Sequence, residues 1–303
     1  MKQIFKAMAG PTFRADRANQ ILLAGATLES VLAKDYNIDL THNAAFELLY
    51  THDGRMLMKQ YHELYLQLAE RYQLTYILET PTWRANRDWI YRLGYDHKDA
   101  AKVNQHAVQF IRETQHGKNC EVIISGSVGP RQNDFDSASA MTSDESALYH
   151  SEQIRAFALL DVDIITARAF NESNEAIGVV KACSSVGIPV VIAFKVDNDG
   201  NLASGEPLGK AIARVDQGTR LYPTYYTLYC DNLETVQRLI RRERLVHRSG
   251  YWNERLHGIQ TTAKTSAFDI MSVKGHFPNL NIVGGCGFDF STLDELCRQF
   301  IAE

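Results

Sequence analysis

The chain is short of several things, and each shortage removes a class of protein. Its five cysteines, Cys120, Cys183, Cys230, Cys286 and Cys297, are an odd number scattered over 303 residues, whereas disulfide-stapled domains carry dense, paired ones. Reduced thiols in a cytoplasm are the expectation. Only 7 prolines occur, and no Pro/Ser-rich tract offers a linker, so no internal boundary is drawn. Nowhere is there the run of about 18 apolar residues that a membrane span needs. The N-terminal MKQIFKAMAGPTFRADRANQ has no apolar stretch long enough for a signal-peptide core. Charge is scarce as well: 32 basic against 36 acidic side chains leave -4, no general attraction to nucleic acid or an anionic membrane. The one basic cluster, Arg241-Arg242-Glu243-Arg244, falls in a helical pattern interrupted by an acid and reads as a solvated helix face. The expected partner is a small molecule.

What is present is a large core. Hydrophobic residues make up 45% and charged ones 22%, the balance of a globular chain. Short β-rich apolar runs recur, each followed by a longer amphipathic stretch, the rhythm of βα units building a parallel sheet. Eight such runs are found: Ile21–Thr27, Tyr76–Thr82, Glu121–Val128, Asp163–Phe170, Pro189–Val196, Tyr225–Cys230, His257–Ala263 and Asn281–Gly287. Eight units need about 250 residues, so the spacing predicts a single-domain (β/α)8 TIM barrel, an α/β fold, over residues 1–303. An open doubly wound sheet is the alternative, and the count of eight decides against it. A helix is predicted through Met56, Leu57, Tyr61, Leu64, Leu68 and Tyr72, which return every three or four residues. Ser143, and Ser291 with Asp294, are expected helix caps.

In such barrels the functional groups lie at the C-terminal ends of the strands. Those positions hold Gly25-Ala26-Thr27, the segment Glu79 to Asn86, Ser125 to Arg131, Arg168, Cys230-Asp231-Asn232 and Gly284-Gly285-Cys286-Gly287. Cys230 and Cys286 mark two even-numbered strands, whose inward side chains share barrel layers, so the two thiols are expected to converge. Convergent thiols suit a catalytic zinc, which takes three protein ligands and leaves one position for water or substrate; a substrate thiol bound there becomes a thiolate. The alternative reading makes both cysteines small buried hydrophobes. The Gly-Gly-Cys-Gly run has a second reading too, a backbone cradle for phosphate, or simply positive φ. None of the ten histidines forms a spaced metal pair.

These residues resemble a family. Gly284-Gly285-Cys286 after an apolar strand resembles the Gly-Gly-Cys-Cys motif of homocysteine S-methyltransferases. Ser125-Gly126-Ser127-Val128-Gly129-Pro130, the strand from Pro189 to Phe194 with Asp199-Gly200, Asn174-Glu175-Ala176, and Tyr225 to Cys230 are similar to other segments of that family. The resemblance implies a barrel in which three cysteines bind zinc, homocysteine sulfur occupies the open position, and a methyl group is transferred to it. This chain departs from the pattern. Gly287 stands at the third ligand, Tyr229 replaces the usual Asn, Ala24-Gly25-Ala26 replaces an Asp-Gly-Gly signature, and Arg168 stands where a glutamate receives the substrate amino group. A guanidinium does not replace that carboxylate.

The resemblance thus implies zinc on Cys230 and Cys286, with Asp231 or Asp289 as an oxygen ligand. The pocket is lined by Thr27, Glu79, Thr82, Trp83 and Arg168, and a small thiol such as homocysteine takes its methyl from S-methylmethionine, betaine or a similar sulfonium or ammonium donor. The rivals are a metal-free barrel that binds a small ligand without catalysis, and a barrel with other rim chemistry on a carboxylate or phosphate that Arg168 pairs.

Overall fold

The computed structural model describes residues 20–132, 141–245, 251–285 and 288–302. Eight strands, β1 (Leu22–Ala24), β2 (Thr75–Glu79), β3 (Val122–Val128), β4 (Ile164–Phe170), β5 (Val190–Lys195), β6 (Tyr226–Cys230), β7 (Leu256–Thr261) and β8 (Ile282–Gly284), pair in chain order, and β8 closes onto β1 in parallel. This is the predicted (β/α)8 barrel, and every expected strand overlaps an observed one. The first two end earlier than their apolar runs suggest, because the chain must leave the ladder to enter its helix. After Glu79, for example, Thr82 N–H donates to Thr80 O and Ala85 N–H to Thr82 O, each 2.9 Å, so Thr80–Thr82 is turn.

The helices are α1 (Leu28–Asp35), α2 (His52–Tyr72), α3 (Arg87–Arg92), α4 (Ala100–Gln115), α5 (Ser143–Leu159), α6 (Ser173–Val186), α7 (Leu208–Thr219), α8 (Leu233–Leu245), α9 (Trp252–Arg255), α10 (Ala267–Lys274) and α11 (Phe290–Ala302). Two expected caps shift. The cap of α5 is Thr142, not Ser143: its side chain accepts from Glu145 N–H while Glu145 reaches back, a capping box. At α11 the Asp289 carboxylate accepts from Thr292 N–H and from Ser291 Oγ, both 2.8 Å; a charged acceptor outside the helix outcompetes a serine within it. In the basic stretch of α8, Arg242 is bound to the loop after β5, donating to Asp199 O at 3.2 Å. No helix among the described residues is long and apolar enough to cross a membrane.

Side chains alternate across each strand. Leu22, Ala24, Ile77, Ile123, Ile164, Val191, Tyr225 and Ile282 gather in one cluster, filling the barrel interior. Leu23, Tyr76, Leu78, Ile124, Ile165, Ile192, Phe194, Leu228 and Val283 face the helices instead. Continuing the inward set toward the C-terminal ends brings Glu79, Arg168, Lys195, Tyr229 and Gln260 to the barrel mouth. An apolar floor therefore carries a polar upper layer. Phe194 is fully buried and stacks on Tyr226 at 6.0 Å between centroids. Phe194→Ala should lower unfolding free energy by about 3–5 kcal/mol, read from denaturant titration; a loss well under 1 kcal/mol would contradict this placement.

Candidate functional site

Arg168 organises the mouth. It is inward-facing on β4, and the residue after it, Ala169, has φ 58°, while the β4–β5 register shifts between Ala167 and Phe170. This bulge lets both Ala167 and Phe170 face the helices, with Arg168 left pointing inward. The guanidinium is 2.9 Å from the Glu29 carboxylate on α1 and 3.6 Å from that of Glu79 on β2. Its backbone carbonyl accepts from Trp83 Nε1 at 3.0 Å. Trp83 can sit there because position 129 is glycine: a Cβ would lie 2.2 Å from Trp83 O. The Gly-Pro of the β3 segment is thus a wall for the Trp83–Trp89 turn, and Trp89 Nε1 donates to Pro130 O at 3.2 Å.

Two cavities meet at Arg168. The outer cleft, about 290 Å³, is lined by Thr27, Glu29, Lys34, Trp83, Arg168, Lys195 and Tyr229 among others. The inner one, about 30 Å³, holds Tyr61, His62, Glu79, Arg168 and Gln260, and shares Thr27, Glu29 and Arg168 with the cleft. Its size suits one sulfur- or water-sized group. Of the expected pocket residues, Thr27, Glu79, Trp83 and Arg168 line these spaces. Thr82 is found elsewhere: it is fully buried, its hydroxyl donating to Ser127 O at 2.7 Å, and it braces β2 against β3.

Burial and the charge of Glu29 raise the Glu79 carboxyl above its usual range, Arg168 opposing them. Of these, burial is largest. His62 on α2 is 3% exposed, and burial pushes its imidazole down to about 3. Its Nδ1 lies 3.3 Å from the Tyr76 hydroxyl; Nε2 has no hydrogen-bond partner among the described residues. A neutral ring against the inner cavity is the result.

A family model for homocysteine S-methyltransferases matches residues 21–298. The chain belongs to the homocysteine S-methyltransferase family. Among solved structures, the homocysteine methyltransferase MmuM of Escherichia coli in its metallated form superposes with a TM-score of 0.72 at 14% identity, covering 94% of this chain and 97% of that one. Its oxidized form gives 0.69, also at 14% identity, over 94% and 98% of the two chains. At such identity these superpositions speak for the fold alone. No curated protein matches in sequence.

The zinc that this family membership brings to mind does not find its donors among the described residues. Cys286 and Gly287 lie outside them, and glycine at 287 has no side-chain ligand. Cys230 packs with the outward set of β6, its thiol donating to Asn232 O at 3.4 Å; burial, reinforced by Asp231, pushes it up to about 12. Asp289 is engaged by Lys264 at 3.0 Å and by the start of α11, and Asp231 accepts from the Thr262 hydroxyl at 3.4 Å. No group of three His, Cys, Asp or Glu gathers among the described residues. The residues in view do not fit a three-thiolate zinc site. Gly284 and Gly285 adopt φ 121° and 117°, so positive φ accounts for that glycine pair.

Sequence reasoning missed Glu29, His62, Lys195 and Tyr229 as site residues. Lys195 ends β5 and Tyr229 precedes Cys230, so strand-end position alone marks them. Glu29 follows Thr27 by two residues in the first turn of α1. His62 carries no such signal, since it lies mid-helix.

Two pH-linked outcomes follow. The folded-state pKa of Glu79 is raised, so its ionisation costs stability that disappears once the group is protonated. Glu79→Gln should therefore melt higher than wild type at neutral pH, with the difference closing below about pH 4; a lower Tm at neutral pH would contradict the unfavourable environment. The folded-state pKa of His62 is depressed instead. The stability this represents is complete above about pH 6.5 and is lost as pH falls toward about 3. In His62→Gln the acid loss across that window should be shallower, as followed by urea unfolding at a series of pH values.

Proposed function

We propose that the protein is an S-methyltransferase that moves a methyl group from a small sulfonium or quaternary ammonium donor, such as S-methylmethionine or betaine, to a small thiol such as homocysteine. Support comes from family membership over residues 21–298, and the observation that carries the site is the paired cavity around Arg168. The outer cleft has room and charge for a polar head group, and the inner cavity has room for a single sulfur. Trp83 and Tyr229 give the cleft aromatic walls, and its cationic side chains suit the carboxylate that S-methylmethionine and betaine both carry.

In this reading Glu79 takes the proton of the acceptor thiol. As the new sulfur–carbon bond forms, the bond from that methyl carbon to the donor sulfur or nitrogen breaks, and the donor leaves as a neutral thioether or tertiary amine. The proton then passes from Glu79 to water. A carboxyl raised toward neutral pH suits that role better than an ordinary one. Arg168, beside it, balances negative charge on the thiolate. No step depends on zinc.

A second reading, a barrel that binds a small ligand without catalysis, is favoured by glycine at 287 and by the packing of Cys230 in the sheet–helix core. Incubation of chelator-treated protein with homocysteine and either donor, with methionine measured by mass spectrometry, separates the two. Turnover is expected, and Glu79→Gln should lower it by roughly 10²–10⁴-fold. Binding of homocysteine without methionine from any such donor would favour the second reading.

A further inference from the structure

The outer cleft differs in sign from what the family pattern implies. Where the family resemblance implies a carboxylate for a substrate amino group, β4 presents Arg168, and the cleft gathers Lys34 from α1 and Lys195 from β5 beside it. Glu29 is the one carboxylate in that lining. It is 7% exposed and committed to Arg168 at 2.9 Å. The lining thus holds two lysines besides Arg168, and the two carboxylates at hand, Glu29 and Glu79, are both set against that arginine. Lys34 Nζ donates to the Thr262 carbonyl at 3.2 Å, a neutral acceptor that leaves its charge on the cleft. The N-terminus of α1, at Thr27 to Ser30 on the same wall, adds its positive dipole end.

From this we infer that the acceptor is held by its carboxylate, against Lys195, Lys34 and the outer edge of Arg168, and that its amino group is dispensable. The ligand class is a small mercapto acid, with or without an amino group. The inference rests on the thiol-acceptor reading above for the sulfur, but the carboxylate assignment rests on the cleft alone. An ammonium brought to this wall meets like charges, a repulsion that specificity exploits as readily as attraction. A carboxylate meets charge-assisted donors from three elements.

Isothermal titration of the full chain decides the matter with four probes: homocysteine, its deaminated mercapto acid, its decarboxylated mercaptoamine, and sulfur-free butyrate. The mercapto acid should bind at least as tightly as homocysteine, and the mercaptoamine about tenfold or more weakly. Lys195→Gln should weaken the mercapto acid about tenfold and bind the mercaptoamine no more weakly than wild type does. Lys34→Gln, on the exposed side of α1, should weaken it in the same sense and serves if the first variant unfolds. A mercaptoamine that binds like homocysteine while the mercapto acid fails, or no binding by any carboxylate probe, would overturn the inference. Butyrate binding as well as the mercapto acid would sink the thiol-acceptor reading and leave the carboxylate site standing.

Discussion

The mouth of this barrel depends on one buried guanidinium. Arg168 joins β4 to α1 through Glu29 and to β2 through Glu79, and through its carbonyl it fixes Trp83. Three of the eight βα units therefore meet at one charge. With 12% of its side chain exposed, the arginine bears most of its desolvation, and the two carboxylates offset it. Removing the arginine alone would cost about 3–5 kcal/mol, because the two carboxylates left behind are stranded in low dielectric. The left-handed Ala169 and the β4–β5 bulge belong to the same arrangement. Strain of about 1–3 kcal/mol in a non-glycine residue persists only where surrounding contacts over-determine it, and these contacts do so.

The triad also separates charge. Toward the inner cavity it presents two carboxylates and one cation, toward the outer cleft mainly cations. Glu79 is the more loosely paired carboxylate, at 3.6 Å from its arginine with 28% of its side chain exposed, so the arginine opposes the effect of burial only in part. Glu29, closer and more enclosed, is the structural partner. Closer pairing of Glu79 with the arginine would oppose the rise due to burial more strongly.

The barrel itself was legible in the sequence, because eight apolar β-rich runs, each followed by an amphipathic stretch, favour a closed barrel over an open doubly wound sheet. The mouth was legible in part. Strand-end position correctly brought Glu79, Trp83 and Arg168 to the cavities, but the same rule applied to β5 also delivers Lys195. The charge reversal at position 168 was visible, yet its neutralisation was not. Glu29 is 139 residues away in sequence, and nothing local says that the first turn of α1 folds over β4. Thr82 failed for a different reason: a threonine near a rim has a choice between cavity and carbonyl, and here the Ser127 carbonyl claims it.

Parity within β6 is the last constraint, and it bears on what the cysteines do. Tyr226, Leu228 and Cys230 share one side of the strand, facing the helices, and Tyr229 shares the other with Tyr225. One strand cannot aim adjacent residues at the same space without a bulge. The register irregularity in the β6–β7 pairing lies between Tyr226 and Thr227, at the opposite end of the strand. So the side chain at 229 belongs to the cleft, and the thiol at 230 to the sheet–helix core, where a buried, protonated cysteine packs as a small hydrophobe. The ion pairs of the mouth accordingly stand on α1, β2 and β4, away from β6. The proposed methyl transfer relies on the carboxyl and the guanidinium there, 3.6 Å apart.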